Sequence, residues 1–376
     1  MQGMRDRRHA LILSACLALS ASLTLAAQGP APAPRERTLR EAVDLYKRAV
    51  EHDHVRGAVL YVARRGEVLL HEAIGLRHHG YRLPMQKDTL FRMASNTKPV
   101  VATAIMMLAD DGKLTVEDPA AKFLPSFDND KSRGITIAQL LSHTSGFRIE
   151  PIFYPFKAGE EISLQSAVAK FGAEGPKEAP GEYSYSNAGY NTLGAIIEVV
   201  SGMPLEQFLE SRIYDPLGMT DTLNHEDAAK LDRMATVYRG RRSQDGKTVR
   251  FTQGFTPGDG PDFPVIRASG GMISTAVDYA KFLDMFRQGG MANGRRLLKE
   301  ETVKAMITPR VKTSDAASYG YGWMIGADGS FSHTGSDGTM AWVDPARDVI
   351  GMVLTQSPGG INPRNEFRRR VEAALR

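Results

Sequence analysis

A chain of 376 residues with 42% hydrophobic and 24% charged side chains can bury a large core, which excludes the disordered and fibrous classes. Its formal charge of +4 is partly a property of the first residues. Positions 1–27 hold Arg5, Arg7, Arg8 and Asp6, which leaves 44 basic against 42 acidic residues beyond them, no electrostatic footprint for nucleic acid.

In chain order, a basic opening (MQGMRDRRH) precedes an apolar run from Ala10 to Ala27 that ends in small residues. This is the layout of a secretory signal peptide over residues 1–27, followed by a Pro/Ala-rich linker over 28–35. The chain is therefore expected to be exported, periplasmic or secreted. The alternatives are an uncleaved anchor, or a lipoprotein box at Leu13-Ser14-Ala15-Cys16, although the apolar run continues past the cysteine. Cys16 is the only cysteine. Its removal with the leader would exclude disulfides, thiolate metal sites and a cysteine nucleophile together.

Apolar residues at Leu39, Val43, Tyr46 and Val50 recur at helical spacing and predict an amphipathic helix from Glu36 to Asp53. Gly57 to Ala63 and Glu67 to Ile74 read as two strands joined around Arg65-Gly66. The stretch Phe91 to Lys113 reads as one helix. Ser95 stands at an N-cap or first-turn position, Pro99 falls early, Val100 to Leu108 is apolar all round, and Gly112 is a left-handed cap. Such a helix is buried on every side, yet it opens with Ser95 and Lys98 about one turn apart on one face. A lysine at the edge of a core is costly to leave without a partner.

From Ile135 to about Pro264 short helical patterns dominate, including Ala188–Ser201 and Leu205–Ile213, and Thr236 to Thr256 reads as an exposed, polar excursion. The tail carries a helix at Ala276–Gln288 and strands at Gly320–Ile325, Ser330–His333, Thr339–Val343 and Val349–Gln356. A last helix runs from Pro363 to Leu375. Strands at both ends with helices between predict an α+β fold: one antiparallel sheet built from both termini, flanked by helices, with a mainly helical lobe inserted. The α/β lobe falls at about 36–94 and 266–376, the helical lobe at about 95–265.

Three fragments carry the chemistry: Ser95-Asn96-Thr97-Lys98, Tyr185-Ser186-Asn187 and His333-Thr334-Gly335. S-x-x-K and Y-x-N each occur once. Taken singly, the serine and lysine read as a cap and a snorkelling cation, and Tyr185 and Asn187 as turn residues after Pro180-Gly181. In order, with the serine opening a buried helix, they form a constellation for acyl transfer. His143-Thr144-Ser145-Gly146 imitates the third fragment with an extra serine and is read as a structural turn. Met106 and Met107 are read as core, and the histidines have no metal spacing, so no metal or cofactor is called for.

With these fragments the sequence resembles the serine β-lactamase and penicillin-binding-protein superfamily. The branch is that of class C β-lactamases, D-alanyl-D-alanine carboxypeptidases and related esterases. Leu140–Gly146, Gly112–Pro119, Ala268–Phe282 and Tyr319–Trp323 look like its recurring segments. The resemblance implies a β-lactamase/transpeptidase-like fold, an acyl-enzyme at Ser95, Lys98 as base and Tyr185 as proton relay. It further implies substrate contacts from Asn187, His333, Thr334, Gly335 and Ser336, with the Ser95 and Ser336 N–H groups as oxyanion hole. Thr334 and Gly335 are expected on an edge strand. His333 occupies a position where β-lactamases usually carry lysine, which tells against efficient β-lactam hydrolysis. The implied substrate is a small molecule or peptide carrying an ester or a D-amino-acid bond. The alternatives are a class C-like β-lactamase and a non-catalytic penicillin- or peptidoglycan-binding sensor.

Overall fold

The computed structural model describes residues 34–260 and 263–376; the predicted leader and most of the predicted linker lie outside them. Helix α1 (Pro34–Glu51) leads into strands β1 (Gly57–Arg64), β2 (Glu67–His78) and the short β3 (Leu83–Pro84). The β1–β2 turn is tight because Arg65 and Gly66 both take positive φ, 54° and 81°, as a two-residue turn matched to strand twist requires.

After β4 (Phe91–Arg92) come a 3₁₀ turn (Ala94–Asn96) and α2 (Thr97–Asp110), then α3 (Ile137–Leu141), α4 (Leu164–Glu174) and α5 (Asn187–Ser201). Next, α6 (Leu205–Leu209) passes through a π-helical turn (Glu210–Tyr214) into α7 (Asp215–Leu217). The predicted excursion at Thr236–Thr256 is a regular hairpin, β5 (Val237–Arg242) and β6 (Val249–Phe255). Its arginine-rich strands hide the alternation that marks a strand buried on one face.

The return half holds β7 (Ile273–Ser274), α8 (Ala276–Arg287), a small hairpin of β8 (Met291–Ala292) and β9 (Arg295–Arg296), and α9 (Glu300–Met306). Strands β10 (Val311–Ser314), β11 (Ala317–Tyr319), β12 (Met324–Gly326), β13 (Phe331–Thr334), β14 (Met340–Asp344) and β15 (Val349–Thr355) precede α10 (Arg364–Ala374).

Among the described residues the main sheet has nine strands in the order β10-β11-β12-β13-β14-β15-β1-β2-β3, and each pairing is antiparallel. The two ends of the chain thus meet at β15–β1, as the clustering of strand signals predicted. Period-two alternation sends the β1 side chains to two cores. Ala58, Leu60 and Val62 face α1 and α10, where Tyr46, Trp342 and Phe367 pack. Val59, Tyr61 and Ala63 face the main core, which includes α2, α5 and α8. Gly351 stands opposite Trp342 in the register, and a Cβ there would fall 2.0 Å from the indole. At that position the sheet requires glycine.

Helix α2 is the axis of the main core. Every residue from Thr97 to Leu108 is buried, as an all-apolar helix must be, and Gly112 follows at φ 70°. Among the described residues no helix is long and apolar enough to cross a membrane.

Candidate active site

Ser95 lies in the 3₁₀ turn that precedes α2, so the predicted single helix begins two residues later, at Thr97. The turn is held under strain. Ala94 takes φ 46°, a region costly for a residue with a Cβ. The Thr97 hydroxyl donates to Ala94 O (2.7 Å) and Met93 N–H donates to Met272 O (2.8 Å). From the other side, Gly335 leaves only the room its missing side chain provides: a Cβ would meet Thr339 Oγ1 at 2.2 Å and Met93 O at 2.5 Å. The serine is thus presented at a fixed, partly exposed point while its neighbours are buried.

One helical turn on, Lys98 is fully buried. Its Nζ lies 2.7 Å from Ser269 O, 2.9 Å from Asn187 Oδ1 and 3.2 Å from Ser95 Oγ. All three partners are uncharged oxygens. Burial, with the positive Arg267 as a smaller cause, holds the amine well below the usual lysine range. In its neutral form Nζ donates to Ser269 O and Asn187 Oδ1 and turns its lone pair to Ser95, its longest contact.

Tyr185 closes the cluster. Burial raises its phenol far above the ordinary value, and its ring centroid lies 4.6 Å from Lys98 Nζ. Asn187 opens α5, which orients its side chain. Its Oδ1 accepts from Lys98, and its Nδ2 donates to Ile149 O at 3.0 Å, tying down the loop that follows α3.

His333 is buried on β13, and both its ring nitrogens are engaged. Nδ1 faces the carbonyl of Thr334 at 3.0 Å and so carries the hydrogen, and Nε2 accepts from the Tyr319 hydroxyl at 3.1 Å. Burial, and then the positive charge of Lys98 in its protonated form, bring its pKa to about 3. Its ring lies 6.3 Å, centroid to centroid, from that of Tyr185. The expectation of an edge strand needs correction. β13 lies inside the sheet between β12 and β14, but β12 pairs only as far as Ser332. One backbone edge of His333, Thr334 and Gly335 therefore lies beyond the end of β12, beside an exposed Thr334 and Ser336.

His143 is the residue that sequence reasoning assigned to a turn alone. The turn exists, at φ 59°, but its imidazole stacks 4.3 Å from the Tyr185 ring, with Tyr319 and Tyr190 at 4.7 and 5.0 Å. Nδ1 accepts from Ser186 N–H (3.0 Å), and the His143 carbonyl accepts from Ser184 N–H (2.8 Å), so one residue grips the backbone on both sides of Tyr185. Its spacing to Tyr185 carries no local signal, which is why the sequence did not reveal it. Among the described residues no cluster of three or more His, Cys, Asp or Glu could hold a metal ion.

An antiparallel sheet with a helical lobe, and a serine, lysine and tyrosine gathered at the start of the buried helix, define the β-lactamase/transpeptidase-like class of fold. A family model described as Beta-lactamase matches residues 40–376, and the chain belongs to that family. It is similar to Protein Rv1367c of Mycobacterium tuberculosis, with 32% identity over 80% of this chain and 85% of that one. Penicillin-binding protein 4 of Amycolatopsis lactamdurans is 30% identical over 83% and 82% of the two chains. Esterase EstB of Burkholderia gladioli is 29% identical over 65% and 68%. Among solved structures, EstCE1, a hydrolase with promiscuous acyltransferase activity, superposes with a TM-score of 0.77 at 22% identity, covering 91% of this chain and all of the other. At that identity the likeness concerns the fold.

Proposed function

We propose that this protein is an exported serine hydrolase that cleaves an ester or a D-amino-acid peptide bond through an acyl-enzyme at Ser95. The observation that carries the reading is the buried, carboxylate-free Lys98 amine 3.2 Å from Ser95 Oγ. A lysine kept neutral beside a hydroxyl is a general base poised for that hydroxyl.

Neutral Lys98 takes the Ser95 proton as Oγ bonds to the substrate carbonyl carbon. The negative charge moves to the carbonyl oxygen, between the Ser95 and Ser336 N–H groups; one such donor is commonly worth about 100–1,000-fold in rate. The tetrahedral centre collapses, the bond to the alcohol or amine breaks, and the proton held on Lys98 reaches the leaving group through the Tyr185 hydroxyl. Water then enters, loses its proton along the same path, and bonds to the acyl carbon. Ser95 leaves with that proton and the free acid departs. Tyr185 acts throughout as a hydroxyl relay, because its burial disfavours a phenolate.

Asn187 holds Lys98 and has a second amide hydrogen for a substrate carbonyl. Thr334 and Gly335 offer backbone to an extended substrate beyond the end of β12. A neutral His333 cannot attract a substrate carboxylate by charge as a lysine would, which disfavours the β-lactamase reading. Export rests on the leader-like first 27 residues. The reaction is tested by incubating wild-type protein and Ser95→Ala with a p-nitrophenyl ester and a D-alanyl-D-alanine peptide. Hydrolysis undiminished in Ser95→Ala would refute the mechanism.

A further inference from the structure

Helix α5 carries a second asparagine one turn beyond Asn187, on the same face, and the two side chains bond in parallel ways. Asn191 is fully buried. Its Oδ1 accepts from the Ser269 N–H at 3.0 Å, and its Nδ2 donates to the Ile152 carbonyl at 3.0 Å. Asn187 Oδ1 accepts from Lys98 at 2.9 Å, and its Nδ2 donates to the Ile149 carbonyl at 3.0 Å. Each amide therefore bridges the segment after α3 and the surroundings of Lys98. The partners of Asn191 also fix which way round its amide lies, since a backbone N–H only donates and a carbonyl only accepts.

Ser269 is the next link. Its carbonyl makes the shortest of the three contacts to Lys98 Nζ, 2.7 Å against 2.9 Å for Asn187 and 3.2 Å for Ser95. It belongs to no helix or strand but to the turn at 267–271, closed by the Gly271 N–H on the Arg267 carbonyl at 2.9 Å. Just beyond the turn, the Met272 N–H donates to Thr97 Oγ1 at 3.0 Å. Inside it, the Ser269 N–H is held by Asn191, which stands on a helix buried throughout residues 188–197. A turn peptide gripped by a rigid helix presents its carbonyl in one direction, and the amine bonded to that carbonyl takes its position from the helix.

We propose that Asn191 is a positioning residue for Lys98: it fixes the Ser269 carbonyl, and through that carbonyl the point from which the amine reaches Ser95. Its two bonds end on Ser269 and Ile152, so what it contributes to the reaction passes through Ser269 to Lys98. An apolar side chain in its place strands the Ser269 N–H and the Ile152 carbonyl in a dry interior, and the turn shifts to satisfy them. Lys98 Nζ then leaves its line to Ser95 Oγ, where a displacement of about 1 Å is worth about 100-fold in rate. The proposal rests on the acyl-enzyme reading above, in which Lys98 is the base, and adds a residue to it.

The test is a double-mutant cycle. Hydrolysis of p-nitrophenyl acetate gives kcat and KM for wild-type protein, Asn191→Leu, Lys98→Ala and the double variant, with unfolding midpoints as the check on folding. Asn191→Leu should lower kcat about 10–100-fold and leave KM within about three-fold of wild type. In the Lys98→Ala background the same substitution should cost less than about three-fold, because the group it positions is gone. Asn191→Ala leaves room for water at both stranded groups and enters the same cycle if the leucine variant does not fold. Its loss should be at least about five-fold with Lys98 present and under about three-fold without it. A folded variant that loses equally in both backgrounds carries a general defect, and one that loses less than about three-fold beside Lys98 does not place it. Either result overturns the proposal while leaving the base assignment intact. Full activity in Lys98→Ala refutes the base assignment itself, and the proposal with it.

Discussion

His333 gives the most quantitative consequence of the site. In the folded protein its pKa is about 3, lowered first by burial and then by Lys98, against an ordinary value of 6.5. Between those limits the unfolded chain binds a proton that the folded chain refuses, so stability falls as pH drops from about 6.5 toward about 3. At about pH 4.5 the unfolded imidazole is two units below its pKa and the folded one is still neutral. At about 1.4 kcal/mol per unit, this one residue withdraws about 3 kcal/mol. His333→Gln removes the titration and keeps an amide able to donate to Thr334 O and accept from Tyr319. Urea unfolding of both proteins at about pH 7.5 and about pH 4.5 should show wild type losing about 3 kcal/mol more than the variant. The other buried groups are common to both proteins, and His143, lowered mainly by burial and only last by His333, nearly cancels. Parallel losses would mean that His333 is protonated in the folded state at acidic pH, and the neutral-imidazole argument would fail.

Lys98→Ala should lower kcat/KM by about 100–10,000-fold, the usual worth of a positioned base, as measured by ester hydrolysis. Because only neutral Lys98 accepts the serine proton, wild-type kcat/KM should fall as pH drops through its depressed pKa. Its share of folding stability should rise with pH from that point up to the unfolded lysine value. His143→Phe keeps a ring against Tyr185 but strands the buried Ser186 N–H, at a cost of about 1–3 kcal/mol. It should reduce kcat with little change in KM, and equal loss in both would point to a general disruption. Gly335→Val would drive a Cβ into Thr339 and Met93 O. It should lower both the unfolding midpoint and the rate of Ser95 labelling by a fluorophosphonate.

The sheet was legible from both ends of the sequence because its strands are apolar and bounded by turn residues, as at Arg65-Gly66. α2 was legible because its apolar run admits no solvent face. The cluster of Ser95, Lys98, Tyr185 and Asn187 could be drawn from two short motifs, since α2 and α5 are rigid and their first turns fix direction. What escaped depends on long-range contact. Nothing local places Ser95 in a strained 3₁₀ turn; that strain comes from Met272 and Gly335, far along the chain. His143 acquires its place only when the turn after α3 folds under Tyr185. The hairpin at Val237–Phe255 is built from exposed arginines and glycines that read as loop.

The central claim is a covalent intermediate on Ser95, and intact mass spectrometry after rapid acid quench addresses it directly. Wild-type protein mixed with a p-nitrophenyl ester should gain one acyl group, mapped by peptide digestion to Ser95, and Ser95→Ala should gain none while losing turnover. An acyl group mapped to another residue, or full turnover by Ser95→Ala, would contradict the account.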